Sequence, residues 1–223
     1  EAIQRWLNTP VVIKPKTTNF GLGISIFPEG ASKQDLEKAM AIAFAEDSSI
    51  LIEEYIKGKE YRFLVMNGEA LAVLHRVPAN VIGNGKSTIA ELIAVKNQDP
   101  LRGKGYKTPL EKIVIDEHMK LFLHQENKTV DTILPEGKLQ YLRENSNIST
   151  GGDSIDVTDQ TPVLFKEIAV QAAHAIGANI CGVDIIIEQL EDEDSPYCII
   201  ELNFNPAIHI HAYPYKGIER NIG

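Results

Sequence analysis

Cys181-Gly182-Val183-Asp184-Ile185-Ile186-Ile187-Glu188 and Tyr197-Cys198-Ile199-Ile200-Glu201-Leu202-Asn203-Phe204-Asn205-Pro206 are the two apolar runs whose reading decides the fold. Both are rich in β-branched residues, and the segment between them, Gln189 to Pro196, is polar and acidic. That pattern predicts two neighbouring antiparallel strands joined by a solvated loop. Asp184 interrupts the first run. Glu201 and Asn203, two positions apart, share one face of the second. A carboxylate inside a half-buried strand is costly unless it is paired or holds a metal. Three oxygen side chains on adjacent strands suit a hard cation, and Mg²⁺ held by a few carboxylates plus nucleotide phosphates fits best. The competing reading is a pair of carboxylates wetted at a strand end.

Outward from this pair, Pro162 to Ile176 reads as a helix stopped by Gly177 and packed on the final sheet. Further upstream, Tyr61 to Met66 and Ala70 to Val77 are strands joined by Asn67-Gly68, a strong two-residue hairpin signal. Each carries an arginine among apolar neighbours, Arg62 and Arg76, which together suggest a clamp for a phosphate or carboxylate. At the start, Val11 to Pro15 and Ile24 to Phe27 are strands flanking Lys16-Thr17-Thr18-Asn19-Phe20-Gly21-Leu22-Gly23. Its glycines would let backbone N–H groups approach an anion, with Lys14 adding a point charge; a plain hairpin is the alternative. Ser32 opens a helix from Lys33 to Asp47, and Ile50 to Ile56 is a strand.

The middle of the chain is less regular. Val81 to Thr88 superficially resembles a P-loop, but Asn80 stands where its first glycine must be. Thr88-Ile89-Ala90-Glu91 is instead a capping box that opens a helix to Asn97. Asn97 to Thr108 reads as a polar loop, Asp116 to Glu126 as a short helix and Tyr141-Leu142-Arg143 as a brief strand. Asn145 to Gly152 is dense in hydroxyls, amides and glycines, and is either a solvated loop or a nest for an anion.

Composition narrows the function. With 223 residues there is room for one large domain or two small ones. A net charge of −9 argues against a general nucleic-acid surface. Two cysteines give no disulfide framework and point to a reducing, cytoplasmic setting. No signal peptide and no run of 18 apolar residues suggests export or membrane insertion. The run Glu191 to Asp194 reads as a solvated tip, and His209 and His211, alternating on a strand or loop, as pocket lining rather than a zinc site. The abrupt start and end lead us to expect a fragment of a longer polypeptide.

Val12-Ile13-Lys14-Pro15, the Gly21/Gly23 loop, Glu53-Glu54-Tyr55-Ile56-Lys57-Gly58-Lys59-Glu60, Gly182-Val183-Asp184 and Glu201-Leu202-Asn203 occur here in the order found in the ATP-grasp ligases, which the chain resembles over nearly its whole length. Thr18 to Ile24 and Asn203 to His211 are similar to the C-terminal ligase modules of bifunctional glutathione synthetases. Arg76 to Gly83 and Ser149 to Gly152 are similar to cyanophycin synthetases, but Ala207 after Pro206 departs from the glycine of that branch.

The resemblance implies an α+β, ATP-grasp fold: antiparallel sheets with packed helices, and a nucleotide held between two subdomains. Residues 1–57 would be a partial lid subdomain whose first part is missing. Residues 58–223 would carry the Mg-ATP site, with inserted substrate loops at 78–160. Lys14, Lys16, Thr18, Asn19, Gly21 and Gly23 would contact or cover phosphates. Glu53, Glu54, Tyr55 and Ile56 would form the adenine hinge, and Glu60 would hold the ribose. Asp184, Glu201 and Asn203 would carry Mg²⁺, with Mn²⁺ as an alternative. Some relatives have an arginine where this chain has Gly182, so charge stabilisation falls to Arg62, Arg76 or Arg143. The implied reaction joins γ-glutamylcysteine to glycine through an acyl phosphate, with a γ-glutamate–cysteine ligase module on the same polypeptide. Addition of aspartate or arginine, as in the cyanophycin branch, and a regulatory ATP-binding module without turnover are the rivals. Small-molecule substrates are expected rather than nucleic acid or membrane, and a homodimer is an assembly open to it.

Overall fold

The computed structural model describes residues 2–17, 23–105 and 107–222. Thr18, Asn19 and Gly21, expected to cover phosphates, lie outside the described residues. The chain divides into two compact units, Glu1–Lys57 and Gly58–Gly223.

In the first unit, β1 (Val11–Pro15) is the centre of an antiparallel sheet between β2 (Ser25–Phe27) and β3 (Ile50–Glu54). Helix α1 (Lys33–Glu46) starts where the Ser32 hydroxyl accepts from the Asp35 N–H, a standard way to satisfy an orphan donor. Its Leu36, Ala39 and Ala43 cover Val11 and Ile13, the inward positions of β1. Period two then turns Val12 and Lys14 to the other face, opposite Glu53 and Leu51 of β3.

The second unit begins with the hairpin of β4 (Lys59–Met66) and β5 (Glu69–Val77). Asn67 and Gly68 both have positive φ, as a two-residue turn that follows the strand twist requires. Next come β6 (Asn80–Ile82), α2 (Ile89–Lys96), β7 (Arg102–Gly103), β8 (Leu110–Glu111), α3 (Glu117–Gln125), β9 (Leu139–Tyr141) and β10 (Asp153–Asp156). The chain closes through α4 (Val163–Ala175), β11 (Ile180–Ile187), β12 (Tyr197–Asn203) and α5 (His209–Ala212). The main sheet has the order β10-β5-β4-β11-β12, with every pairing antiparallel. Phe165, Ala169 and Ala173 of α4 pack on Phe63, Val65, Val73, Val183 and Ile185, all buried. A second cluster, Val81, Ile89, Ile93, Met119, Leu123 and Leu134, gathers α2 and α3 around the small β6–β9 sheet.

The capping box at Thr88 forms, with both of its reciprocal bonds. Two expectations need correction. Arg143 is not in a strand, since β9 ends at Tyr141. His209 and His211 sit on α5 rather than on an extended segment. Residues 153–156 pair with β5 as an edge strand within a stretch read as inserted loops. Among the described residues, no helix is long and apolar enough to cross a membrane.

Candidate active site

The face of the main sheet opposite α4 is polar, and two β-bulges set its membership. In the β4–β5 ladder Val65 faces Ala70, but Leu64 faces Ala72, which leaves Leu71 as an extra residue. Without it Arg62 and Arg76 would point to opposite faces; with it they share one. In the β11–β12 ladder Ile185 faces Ile199, but Asp184 faces Glu201, which leaves Ile200 as the extra residue. Without that bulge Glu201 would pair with Val183 on the core side. Glu60, Arg62, Arg76, Asp184, Glu201 and Asn203 therefore lie on one face, drawn from β4, β5, β11 and β12.

Asp184 is the centre of this face and is 1% exposed. Its Oδ1 accepts from Arg62 Nε at 2.6 Å, and Oδ2 accepts from Arg62 Nη2 and, at 3.0 Å, from Arg76 Nη1. Arg76 also pairs with Glu60 at 2.6 Å and donates to Asn147 Oδ1 at 2.5 Å. Glu60 in turn accepts from the Ser146 hydroxyl. Burial raises the Glu60 pKa, with Arg76 opposing and Asp184 reinforcing the rise. Burial works against the charge on Arg62, but Asp184, Glu60 and Glu201 outweigh it and raise its pKa.

The loop that delivers Ser146 and Asn147 is folded tightly over the end of β5. Gly151 has φ +94° and sits against Ile113. A Cβ on Gly152 would lie 2.9 Å from the carbonyl oxygens of Asn147, Ser146 and Val77. Only glycines fit both constraints.

Arg143 does not join this group. It donates to Asp116 at 2.5 Å and to the Val114 carbonyl at 3.4 Å. His211 is fully buried on α5, with neither ring nitrogen bonded. Burial, then the nearby Arg62 charge, lowers its pKa to about 3. His209 is exposed and borders a cavity of about 350 Å³ with Leu101, Lys107, Thr108, Pro109 and Tyr213.

In the first unit Lys14 and Glu53 form an ion pair at 2.6 Å on the sheet face away from α1. Val12, Ile26 and Leu51 lie beside them as a partly covered apolar floor. Lys16 and Gly23 flank that sheet, Glu54 ends β3 opposite Val11 on the other face, and Tyr55 and Ile56 lead out of β3. Thr17 is tied to Asp47 by its N–H at 2.9 Å, which fixes one end of the glycine loop to the close of α1.

The donor set can be tested against the implied metal. Among the described residues no group of three or more His, Cys, Asp or Glu is arranged to hold an ion. Asp184 and Glu201 do face each other across adjacent strands, and the amide of Asn203, opposite Gly182, shares their face. Mg²⁺ is usually held by one or two carboxylates with phosphates and water completing the shell, so this set fits a metal that arrives with a nucleotide.

Two family profiles match, D-ala D-ala ligase C-terminus over residues 1–98 and RimK-like ATP-grasp domain over residues 116–222. This chain belongs to the ATP-grasp family. It is 60% identical over 215 residues to the glutathione biosynthesis bifunctional protein GshAB of Clostridium perfringens, covering 96% of this chain and 28% of that protein. It is similar to the crystal structure of a bifunctional glutathione synthetase from Pasteurella multocida, at 49% identity and TM-score 0.70, covering 95% of this chain and 30% of that one. A D-alanine–D-alanine ligase from Bacillus anthracis, at 16% identity and TM-score 0.51 over 94% of this chain and 48% of that one, shares the fold. The ATP-grasp chain spans less than a third of the length of the bifunctional relatives it matches.

The main apolar and hairpin signals led to this site, but two parts of its environment had weak signals. Ser146 and Asn147 were visible only as members of a polar loop. Asp153, buried and held by Arg102 and by Lys96 at 2.7 Å, carried no signal.

Proposed function

We propose that the chain is the ligase module that joins γ-glutamylcysteine to glycine at the expense of ATP. The single observation that carries this is the 60% identity, over nearly the full chain, to a protein named for glutathione biosynthesis. The polar sheet face supports it chemically. In this reading Gly58–Gly223 provides the catalytic face, with substrate loops between residues 78 and 160. Glu1–Lys57 acts as the lid subdomain.

The chemistry is a two-step condensation. The γ-phosphoryl of ATP passes to the C-terminal carboxylate of γ-glutamylcysteine, giving ADP and an acyl phosphate. The glycine amine then attacks the acyl carbon, the C–O bond to phosphate breaks, and the amine loses a proton. Lys14 holds phosphate oxygens as a point charge, while Val12, Ile26 and Leu51 accept the adenine face. Glu53, Glu54, Tyr55 and Ile56 line its edge. Lys16 and Gly23, with Thr18, Asn19 and Gly21, cover the phosphates. Glu60 reaches the ribose once its bonds to Arg76 and Ser146 are exchanged. Arg62 and Arg76 neutralise charge on the transferring group, the kind of fixed electrostatic help that dominates phosphoryl transfer. Asp184, Glu201 and Asn203 would hold Mg²⁺, or Mn²⁺ in its place, which when bound supplies further neutralisation of the phosphates. Arg143, paired with Asp116, is assigned to holding the loops rather than to chemistry. Two free cysteines agree with a cytoplasmic site of action. A γ-glutamate–cysteine ligase module on the same polypeptide would supply the dipeptide.

The test is ADP release by the full-length protein with ATP and Mg²⁺. Turnover that needs both γ-glutamylcysteine and glycine supports the assignment. Turnover only with an aspartate/arginine primer removes it, and nucleotide binding without any turnover reduces the module to a sensor.

A further inference from the structure

Asp184 is asked to do two things at once. It is the most buried of the proposed metal ligands, yet both of its oxygens already accept from guanidinium groups. A dication on those oxygens would be repelled by the two guanidinium groups already bonded there, and in so buried a place that repulsion is strong. Its binding is favoured when one arginine leaves. Arg76 is anchored elsewhere, through Glu60 at 2.6 Å and Asn147 at 2.5 Å. Arg62 is bonded through its fork to Asp184, and Glu60 and Glu201 act on it only at a distance. Its stem crosses the one residue of β11 there that carries no side chain. It runs over Gly182, with Cδ and Nε 3.7 Å from the point a Cβ there would occupy.

We propose that Arg62 is a built-in competitor for the metal: its guanidinium closes Asp184 until an incoming phosphate chain draws it away, so cation and nucleotide enter together. This rests on the metal reading of Asp184 given above. The same swing serves both ends, since the group that vacates the carboxylate is a planar donor suited to a phosphate. Arg62 is thus a positioning residue for the metal and, once released, a partner for the phosphate chain. Free divalent metal alone finds the site shut.

The experiment is Mn²⁺ titration of the full-length protein, followed by electron paramagnetic resonance, without nucleotide and then with a non-hydrolysable ATP analogue. Asp184→Asn supplies the background from any other metal site on the polypeptide. Above that background, the unmodified protein should bind Mn²⁺ weakly alone and strongly with the analogue. Arg62→Gln should bind Mn²⁺ alone at least tenfold more tightly, and Mn²⁺ should raise its melting temperature where it does not raise that of the unmodified protein. Arg62→Lys keeps a charge but cannot fork, and serves if the Gln variant folds poorly; it should show a smaller gain. Mn²⁺ affinity unchanged or weaker in both folded variants overturns the proposal while leaving the metal assignment standing. If Asp184→Asn binds Mn²⁺ with the analogue as well as the unmodified protein does, the metal assignment itself falls, and the proposal with it.

Discussion

Two aspartates of the second unit are buried and clamped by pairs of cations, yet their surroundings differ. Asp153 is held by Lys96 at 2.7 Å and by Arg102, with Asn80 donating at 2.8 Å. Tyr215 lies over both cations, at 5.2 and 5.3 Å from its ring centre. Among the described residues no other carboxylate pairs with Lys96 or Arg102. Asp184 is held by Arg62 and Arg76, but Glu60 and Glu201 stand close by as further counter-charges. The first cluster sets two cations against a single carboxylate, so both depend on Asp153 and there is no second carboxylate to exchange with. The second has a surplus of carboxylates and can exchange partners. A clamp of the first kind fixes structure, and a clamp of the second kind leaves charge available for a ligand.

The largest effect expected from this contrast is at Asp153. Asp153→Ala leaves two buried cations with no carboxylate, and breaking a buried pair in that way costs about 3–5 kcal/mol. Chemical denaturation should show the loss as a lower midpoint. The enzyme that remains folded should turn over at an undiminished rate. A normal midpoint would mean that water reaches Lys96 and Arg102, and the contrast would collapse.

Asp184→Asn should reverse the pattern. Glu60 and Glu201 remain to balance the arginines, so its stability should fall by less than that of Asp153→Ala. Its turnover, and that of Glu201→Gln, should drop by about 10²–10³, the usual consequence of removing one fixed electrostatic stabiliser. The readout is kcat for ADP release in the full-length protein. Unchanged turnover in both variants would remove the polar face from the catalytic account.

The sequence reveals the second clamp much better than the first, for a physical reason. Asp184, Glu201, Arg62 and Arg76 sit in strands joined by short connections, where period two and a two-residue turn make face membership nearly computable. Nearly, because both ladders contain a bulge. Simple counting from Asn67-Gly68 puts Arg76 on the wrong face, and only the extra Leu71 corrects it. The extra Ile200 does the same for Glu201. One residue of slip is invisible to composition or periodicity, since Ile200 looks like any other strand residue. Asp153 was hidden more deeply. It pairs with Arg102 across 51 positions and with Asn80 across 73, and such closures depend on how the inserted loops pack. His209 and His211 read as strand or loop because the short α5 has no side-chain cap and begins just after the turn that follows β12.

Acid should distinguish the two clamps next. His211 feels Arg62, Asp156 and Asp184, whereas no histidine contacts the Asp153 cluster among the described residues. Its folded pKa, about 3, lies well below the ordinary value of 6.5. The fold therefore favours the neutral ring, and this stabilisation is complete above pH 6.5. As pH falls below 6.5 the unfolded chain takes a proton that the folded chain refuses, and stability declines until pH nears 3. The slope for one such group approaches about 1.4 kcal/mol per pH unit. His75, lowered to about 4 by burial and then by Lys59, adds a slope of its own. His211→Asn should therefore flatten, but not abolish, the loss of stability between pH 6 and 4. An unaltered slope would mean that His211 takes up its proton without unfolding.

The smallest effect isolates the roof of the structural clamp. Tyr215→Leu keeps an apolar cover over Lys96 and Arg102 but removes the ring face from both. Cation–π contacts are worth about 0.5–1 kcal/mol at exposed sites and about 2 kcal/mol when desolvated; with Lys96 partly covered and Arg102 buried, and an apolar cover kept by the leucine, the variant should lose roughly 1–3 kcal/mol. In an Asp153→Ala background the same change should cost more, because the ring would then be the nearest counter-charge left to either cation. Denaturation midpoints of the two single variants and the double variant give this coupling directly. A more-than-additive loss would show that the ring and the carboxylate stabilise the same charges. Simple additivity would mean that Tyr215 only fills space, and that Asp153 alone separates this clamp from the one at Asp184.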